Sequence, residues 1–197
     1  MLNNLGEFAD LPSALNFNPP EEPLIDSSGL LKIFGNLPKF PNDLQLKRGK
    51  LITHDGVDIE EISWGTGYGP RTEGYLLKPS GTKEKLPGVL FLHSHDDVKG
   101  FGKEKLIDGV GELPEEVRWV KRDHYGNRGA ANALAKKGFA VLTFDCFMWG
   151  SRGITREFLA DRLFEILGRE DFESASIMHE SMSLSKYLSL FGTSLAG

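Results

Sequence analysis

The sequence predicts an α/β fold: an open, mostly parallel sheet with helices flanking it. Three observations carry that prediction. Gly88-Val89-Leu90-Phe91-Leu92 and Phe139-Ala140-Val141-Leu142-Thr143-Phe144 are continuous apolar runs, the pattern of strands buried on both faces. An alanine-rich segment, 127–137, lies between them, so strand, helix and strand follow in the order of a right-handed parallel crossover. Each run also opens into a polar or glycine-bearing loop, His93-Ser94-His95-Asp96-Asp97 after the first and Asp145 to Gly153 after the second. Loops at the carboxyl ends of parallel strands are where open α/β sheets build their sites.

A chain of 197 residues, 40% of them hydrophobic, has enough apolar side chain for one domain with a proper core and an additional arm. With 23 basic and 28 acidic residues the net charge is -5, and no basic stripe invites nucleic acid or an anionic membrane. Cys146 is the only cysteine, so no disulfide forms within the chain and a reducing, cytoplasmic setting is expected. Residues 1–15 lack the basic-then-apolar order of a secretory signal. No apolar stretch approaches the roughly 20 residues of a membrane helix.

The elements follow in order. Residues 1–49 hold Pro12, Pro19, Pro20, Pro23, Pro38 and Pro41, which break any long element, and read as an arm ahead of a domain at 50–197. Asp55-Gly56 sits between two strand-like runs, 51–54 and 57–64, and suits a tight hairpin because glycine tolerates positive φ. Val57 and Ile59, with Ile62 and Trp64 less strictly, supply the apolar face. The glycine-rich loop 65–70 has no helix behind it, so it reads as a wide hairpin turn into a third strand, 73–77, and not as a phosphate cradle. Residues 94–126 are charged and glycine-bearing and read as a long functional loop. The helix at 127–137 ends on Lys136, Lys137 and Gly138, cations and a stop residue where a helix C-terminus favours them. Two more helices, 155–167 and 174–191, close the chain on apolar residues at helical spacing.

His93 to Asp97 has two chemical readings. His93, His95 and Asp97 are alternate residues of the types that grip zinc, with only His54, His124 and His179 left to complete a site. Alternatively, a strand ending in histidine and a polar turn offers a backbone N–H that stabilises a developing oxyanion. A hydrogen-bonded structural His93 is the plain reading. Cys146, with no activating base beside it, reads as an inert thiol. His179-Glu180 begins a His-Glu-x-x-His zinc motif, but Ser183 occupies the second histidine position, which leaves a solvated helix face.

Gly74-Tyr75-Leu76-Leu77-Lys78-Pro79, Leu86 to His93, Ala133 to Asp145 and Gly150-Ser151-Arg152-Gly153, in that order and spacing, resemble the α/β-hydrolase superfamily. Within it, the dienelactone hydrolases and acetyl-xylan-esterase-like proteins are most similar, over roughly residues 50–197. The resemblance implies a carboxylic ester hydrolase acting through a serine acyl-enzyme on a small-molecule ester, with no cofactor. It implies that His95 donates the oxyanion N–H, that Ser94, Asp96 and Trp149 shape the substrate pocket, and that Asp145, Gly150 and Arg152 order the turn after the second strand, Asp145 and Arg152 as a structural ion pair. The pattern departs at Ser94, where the family has glycine, so the tight turn there is expected to be altered.

No complete Gly-x-Ser-x-Gly is present, and Ser194 in Gly192-Thr193-Ser194-Leu195-Ala196 is a poor substitute. The nucleophile, acid and general-base histidine are therefore not found, and these residues are expected to be the first half of the fold and inactive alone. In the resembled fold the first strands lie in the order 1-2-4-3, which would leave Gly88–Leu92 as an exposed apolar edge. Such an edge implies a completing C-terminal segment or a homo-oligomer. The alternatives are a metal-dependent hydrolase using His93, His95 and Asp97, and an inactive hydrolase fragment that serves as an interaction module.

Overall fold

In the computed structural model, which describes residues 39–155, 157, 159, 172–180 and 184–190, Asp55 and Gly56 both take positive φ (46° and 75°). They turn β1 (Lys47–His54) back into β2 (Val57–Trp64) as an antiparallel hairpin. The 65–71 loop returns β2 antiparallel into β3 (Thr72–Pro79), pairing Val57 with Pro79 and Trp64 with Thr72. It is the hairpin turn expected of it. The chain divides into two units, residues 38–187 and a second formed by 1–37 with 188–197. Everything below concerns the first, apart from residues 188–190 at the end of the last helix.

The fold is α/β: a five-stranded sheet in the order β1-β2-β3-β5-β4, with β4 at Gly88–Leu90 and β5 at Ala140–Phe144. Counted from β2, the order is the 1-2-4-3 of the resembled fold, with β1 added outside it. The crossover supplies the parallel pairing, Val89 to Val141 and Leu90 to Leu142, and the other three pairings are antiparallel.

The strand at 88–92 is not buried on both faces. It lies at the sheet edge and ends at Leu90, which is 61% exposed, with Leu92 at 51%. Among the described residues only β5 pairs with β4, and as an edge strand β4 lacks the full cover that neighbouring strands and their flanking helices give an interior one.

The helix expected at 127–137 is shorter, α2 at Ala130–Lys136 after α1 at Glu115–His124. Ala131 and Ala135 lie against Val57, Ile59, Leu77 and Val141 in the main core, joined by Leu106 and Ile107. Each fully buried valine, leucine or isoleucine of this core contributes roughly 1.5–3 kcal/mol.

The 94–126 segment is not a loop throughout. It contains a 3₁₀ turn at Lys103–Leu106 and α1, whose first turn carries Glu115 and Glu116 and whose last carries Lys121, Arg122 and His124. That charge order complements the helix dipole at both ends. Val117 and Val120 bury the helix against Val98. Lys121 donates from Nζ to the Ile107 carbonyl at 2.6 Å and pairs with Asp108, tying the helix to the core segment.

Of the C-terminal helices, 172–179 (α3) and 185–190 (α4) are helical in place of one stretch over 174–191. The helix expected at 155–167, the arm up to residue 38 and Ser194 lie outside the described residues. Among the described residues, no helix is long and apolar enough to cross a membrane.

Candidate active site

Because β4 and β5 are parallel neighbours, their carboxyl ends open at the same sheet edge, and the two sequence-predicted loops meet there. The Cys146 N–H donates to His93 Nε2 at 3.2 Å, and the Gly150 N–H donates to the Lys99 carbonyl at 3.0 Å. Trp149 joins them, its ring centroid 5.3 Å from that of His93 and 4.7 Å from that of His95, both edge-on.

His93 is held in one tautomer. Nε2 accepts from Cys146, so the ring proton sits on Nδ1 and donates to the Ser94 carbonyl at 3.0 Å. Burial keeps the imidazole below its ordinary pKa, helped by the nearby Lys105 charge. The Ser94 carbonyl and the Asp145 and Glu104 carboxylates pull the other way without overcoming it. A neutral His93 is the form this hydrogen-bond pattern requires.

Ser94 leads into a turn. Its left-handed residues are Asp96 and Asp97, at φ 49° and 54°, and aspartate is among the non-glycine residues that tolerate this region. Ser94 and Asp96 turn inward. The Ser94 N–H donates to the Tyr125 hydroxyl at 3.0 Å, the Ser94 hydroxyl bonds both Asp96 and Tyr125, and Asp96 also pairs with His124. His95 stays on the outer side, with Nδ1 3.0 Å from Asp97. Thus His93, His95 and Asp97 do not converge, and among the described residues no three His, Cys, Asp or Glu side chains form a group able to hold a metal ion.

Asp145 orders the second loop, but not with Arg152. Its buried carboxylate accepts from Lys103 Nζ at 2.7 Å, from the Lys103 N–H at 3.0 Å and from the Ser151 N–H at 2.9 Å. Burial opposes the Lys103 charge, yet the Glu104 and Asp145 carboxylates outweigh it and hold the ammonium well above its usual pKa. Gly102 and Gly150 are required here, since a Cβ at either would fall 2.5–2.6 Å from the Asp145 carboxylate.

Arg152 instead reaches the 65–71 turn, donating from one guanidinium nitrogen to Thr66 Oγ1 (2.8 Å) and the Tyr68 (3.1 Å) and Pro70 (2.6 Å) carbonyls. It lies over the Tyr68 ring, 5.0 Å from its centroid. An aspartate seven residues before an arginine invites a pairing across the turn. The nearer cation was supplied by a different loop. The Cys146 thiol is pushed up by burial and then by the Asp145 charge, in keeping with an inert cysteine.

Three lysines of the 94–126 segment were missed. Lys99, Lys103 and Lys105 are all buried, where the Gly-flanked sequence Lys99-Gly100-Phe101-Gly102-Lys103-Glu104-Lys105 suggests a solvated loop. Lys99 pairs with Glu180, so that carboxylate is not part of a solvated helix face. Its Nζ lies 3.9 Å from the Trp149 ring centroid, and that of Lys105 4.3 Å. The signal in the sequence was the apolar pair Leu106-Ile107 directly behind them, which carries the segment into the core.

Against known proteins, no family model matches the chain and no curated protein matches it. Among solved structures, a candidate acetyl xylan esterase from Bacteroides fragilis superposes with a TM-score of 0.52 at 18% identity, over 79% of this chain and 35% of that one. Acetyl xylan esterase 1 from Thermoanaerobacterium gives 0.35 at 14% identity (75% of this chain, 40% of that one). A glucuronoyl esterase from Solibacter usitatus gives 0.34 at 12% identity (62% and 37%). The first of these supports the α/β fold, and the chain spans about a third of that protein's length.

Proposed function

We propose that the protein is a carboxylic ester hydrolase of the serine type, and that these residues supply its charge-stabilising half. The observation that carries the reading is the peptide between Ser94 and His95. It lies at the carboxyl edge of β4, beside the loop that follows β5, and among the described residues nothing accepts the His95 N–H. A donor held ready in this way suits the oxyanion of a tetrahedral intermediate. The serine that attacks the ester carbonyl, its histidine base and the acid stand outside the residues assigned here. Ser94, Asp96 and Trp149 form the wall behind the donor in this reading. The esterase-like fold of the B. fragilis protein is in keeping with it.

The test separates backbone from side chain. In the full-length protein, acting on p-nitrophenyl acetate, His95→Ala keeps the N–H and should retain most of kcat. His95→Pro removes the N–H and should cost about 100- to 1000-fold in kcat, the typical effect of deleting one oxyanion donor. A His95→Pro protein that unfolds at the same urea concentration as its parent and turns over as fast would overturn the assignment. So would a parent that hydrolyses the ester while a fluorophosphonate labels no serine.

A further inference from the structure

Resting on that reading, we infer that Lys105 is a positioning residue, which together with His93 locks the Ser94–His95 peptide so that its N–H points at the oxyanion. A trans peptide unit is planar, with its C=O and N–H pointing in opposite directions. Whatever grips the Ser94 carbonyl therefore aims the His95 N–H. Two donors grip it, Lys105 Nζ at 3.2 Å and His93 Nδ1 at 3.0 Å.

Lys105 also donates to the next carbonyl, His95, at 2.8 Å, so one ammonium spans two consecutive peptides. The side chain is fully buried, and its Nζ lies 4.3 Å from the Trp149 ring centroid. A buried ammonium is costly to keep unless its donors are used, and here two of them are spent on backbone carbonyls of this turn. Trp149 and Cys146 brace the second donor, His93, from the β5 loop.

The arrangement has an electrical consequence as well as a geometric one. A cation on the carbonyl end of an amide polarises the unit and makes its N–H a stronger donor, as in any chain of hydrogen bonds. Lys105 thus adds to the oxyanion site without touching substrate. The turn it holds is the one with Asp96 and Asp97 in left-handed conformations, a backbone that needs outside support to persist.

The test is made on the full-length protein with p-nitrophenyl acetate, with His95→Pro run alongside. Lys105→Met keeps the stem and removes the donors. It should lower kcat by about 10- to 100-fold, as misplacing a catalytic group does, with KM changed less than about threefold. Lys105→Arg, which keeps charge and donors, should recover most of the loss. If His95→Pro abolishes turnover while folded Lys105→Met keeps kcat within about twofold of the parent, the positioning role fails and the oxyanion assignment stands. If His95→Pro keeps the parent's kcat, the oxyanion assignment fails first.

Methionine at a buried lysine can unfold a chain, so the parent carries a second readout. The Lys105 ammonium should exchange slowly in nitrogen-15 spectra and show a coupling through the hydrogen bond to the Ser94 carbonyl carbon. An ammonium without that coupling, exchanging as fast as surface lysines, overturns the inference by itself.

Discussion

Asp145→Asn removes one charge and almost no volume, so it isolates the electrostatics that hold the β5 loop. The carboxylate oxygen Oδ1 accepts the Lys103 N–H at 3.0 Å, and Oδ2 accepts Lys103 Nζ at 2.7 Å and the Ser151 N–H at 2.9 Å. An amide has one acceptor where the carboxylate has two. In its better orientation the new NH₂ faces the Lys103 N–H and leaves that donor unpaired, at about 1 kcal/mol.

The larger cost is Lys103, buried with one of its two close counter-charges gone. Breaking such a pair costs about 3–5 kcal/mol, and the low end applies because Glu104 remains 2.8 Å from Nζ. The expected sum is about 4 kcal/mol, a large part of a typical stability of about 5–15 kcal/mol. At an m-value of about 2 kcal/mol/M, the urea midpoint followed by tryptophan fluorescence should fall by about 2 M.

Lys103→Met in the same background should restore about 2 kcal/mol, because the buried ammonium is then gone and the Glu104 carboxylate it leaves is partly exposed and still accepts the Gly102 N–H. A midpoint shift under about 0.5 M for Asp145→Asn, or a double variant whose cost is the plain sum, would refute the reasoning.

Two further stability predictions follow from the same loops. Arg152→Met should cost about 2 kcal/mol, since the guanidinium serves three acceptors of the 65–71 turn. Tryptic cleavage after Arg71 should then speed up, and an unchanged cleavage rate would count against the contact. His93 should make stability depend on pH. Its folded pKa lies below the ordinary 6.5, so the unfolded chain takes up the proton first. Its contribution is therefore complete above about pH 7 and declines as pH falls through 6.5 toward the folded value. The urea midpoint should drop further between pH 7.5 and 5.5 for the parent than for His93→Gln, whose amide does not titrate in that range. Equal drops would mean that His93 is not held neutral.

The local features were legible in the sequence wherever a short-range rule decides the outcome. Asp55-Gly56 specifies its turn through backbone sterics alone, and alternation places Val57 and Ile59 inward whatever lies beyond them. The apolar runs marked β4 and β5, and their order with α2 between them implied the parallel pair and hence the shared site edge. The caps of α1 were also present, Pro114 with Glu115-Glu116 at one end and Lys121 and Arg122 at the other. They were outweighed by a composition so polar that only Val117 and Val120 of its ten residues are buried apolar side chains.

Tertiary structure alone decided which charges are inside. Nothing near Lys99, Lys103 or Lys105 in sequence shows that Glu180, Asp145 or the Ser94 carbonyl will be within reach, since two of these partners lie 81 and 42 residues away. A buried cation is stable only with such a partner, and partners are delivered by the order of the strands. That order likewise put β4 at an edge, as the resemblance implied and against what its apolar pattern suggested. The sequence by itself determined the fold class, the hairpin and the two loops that form the candidate site. Only the folded chain assigned the lysines that hold them, because long-range pairing, and not local preference, determines where a charge is affordable.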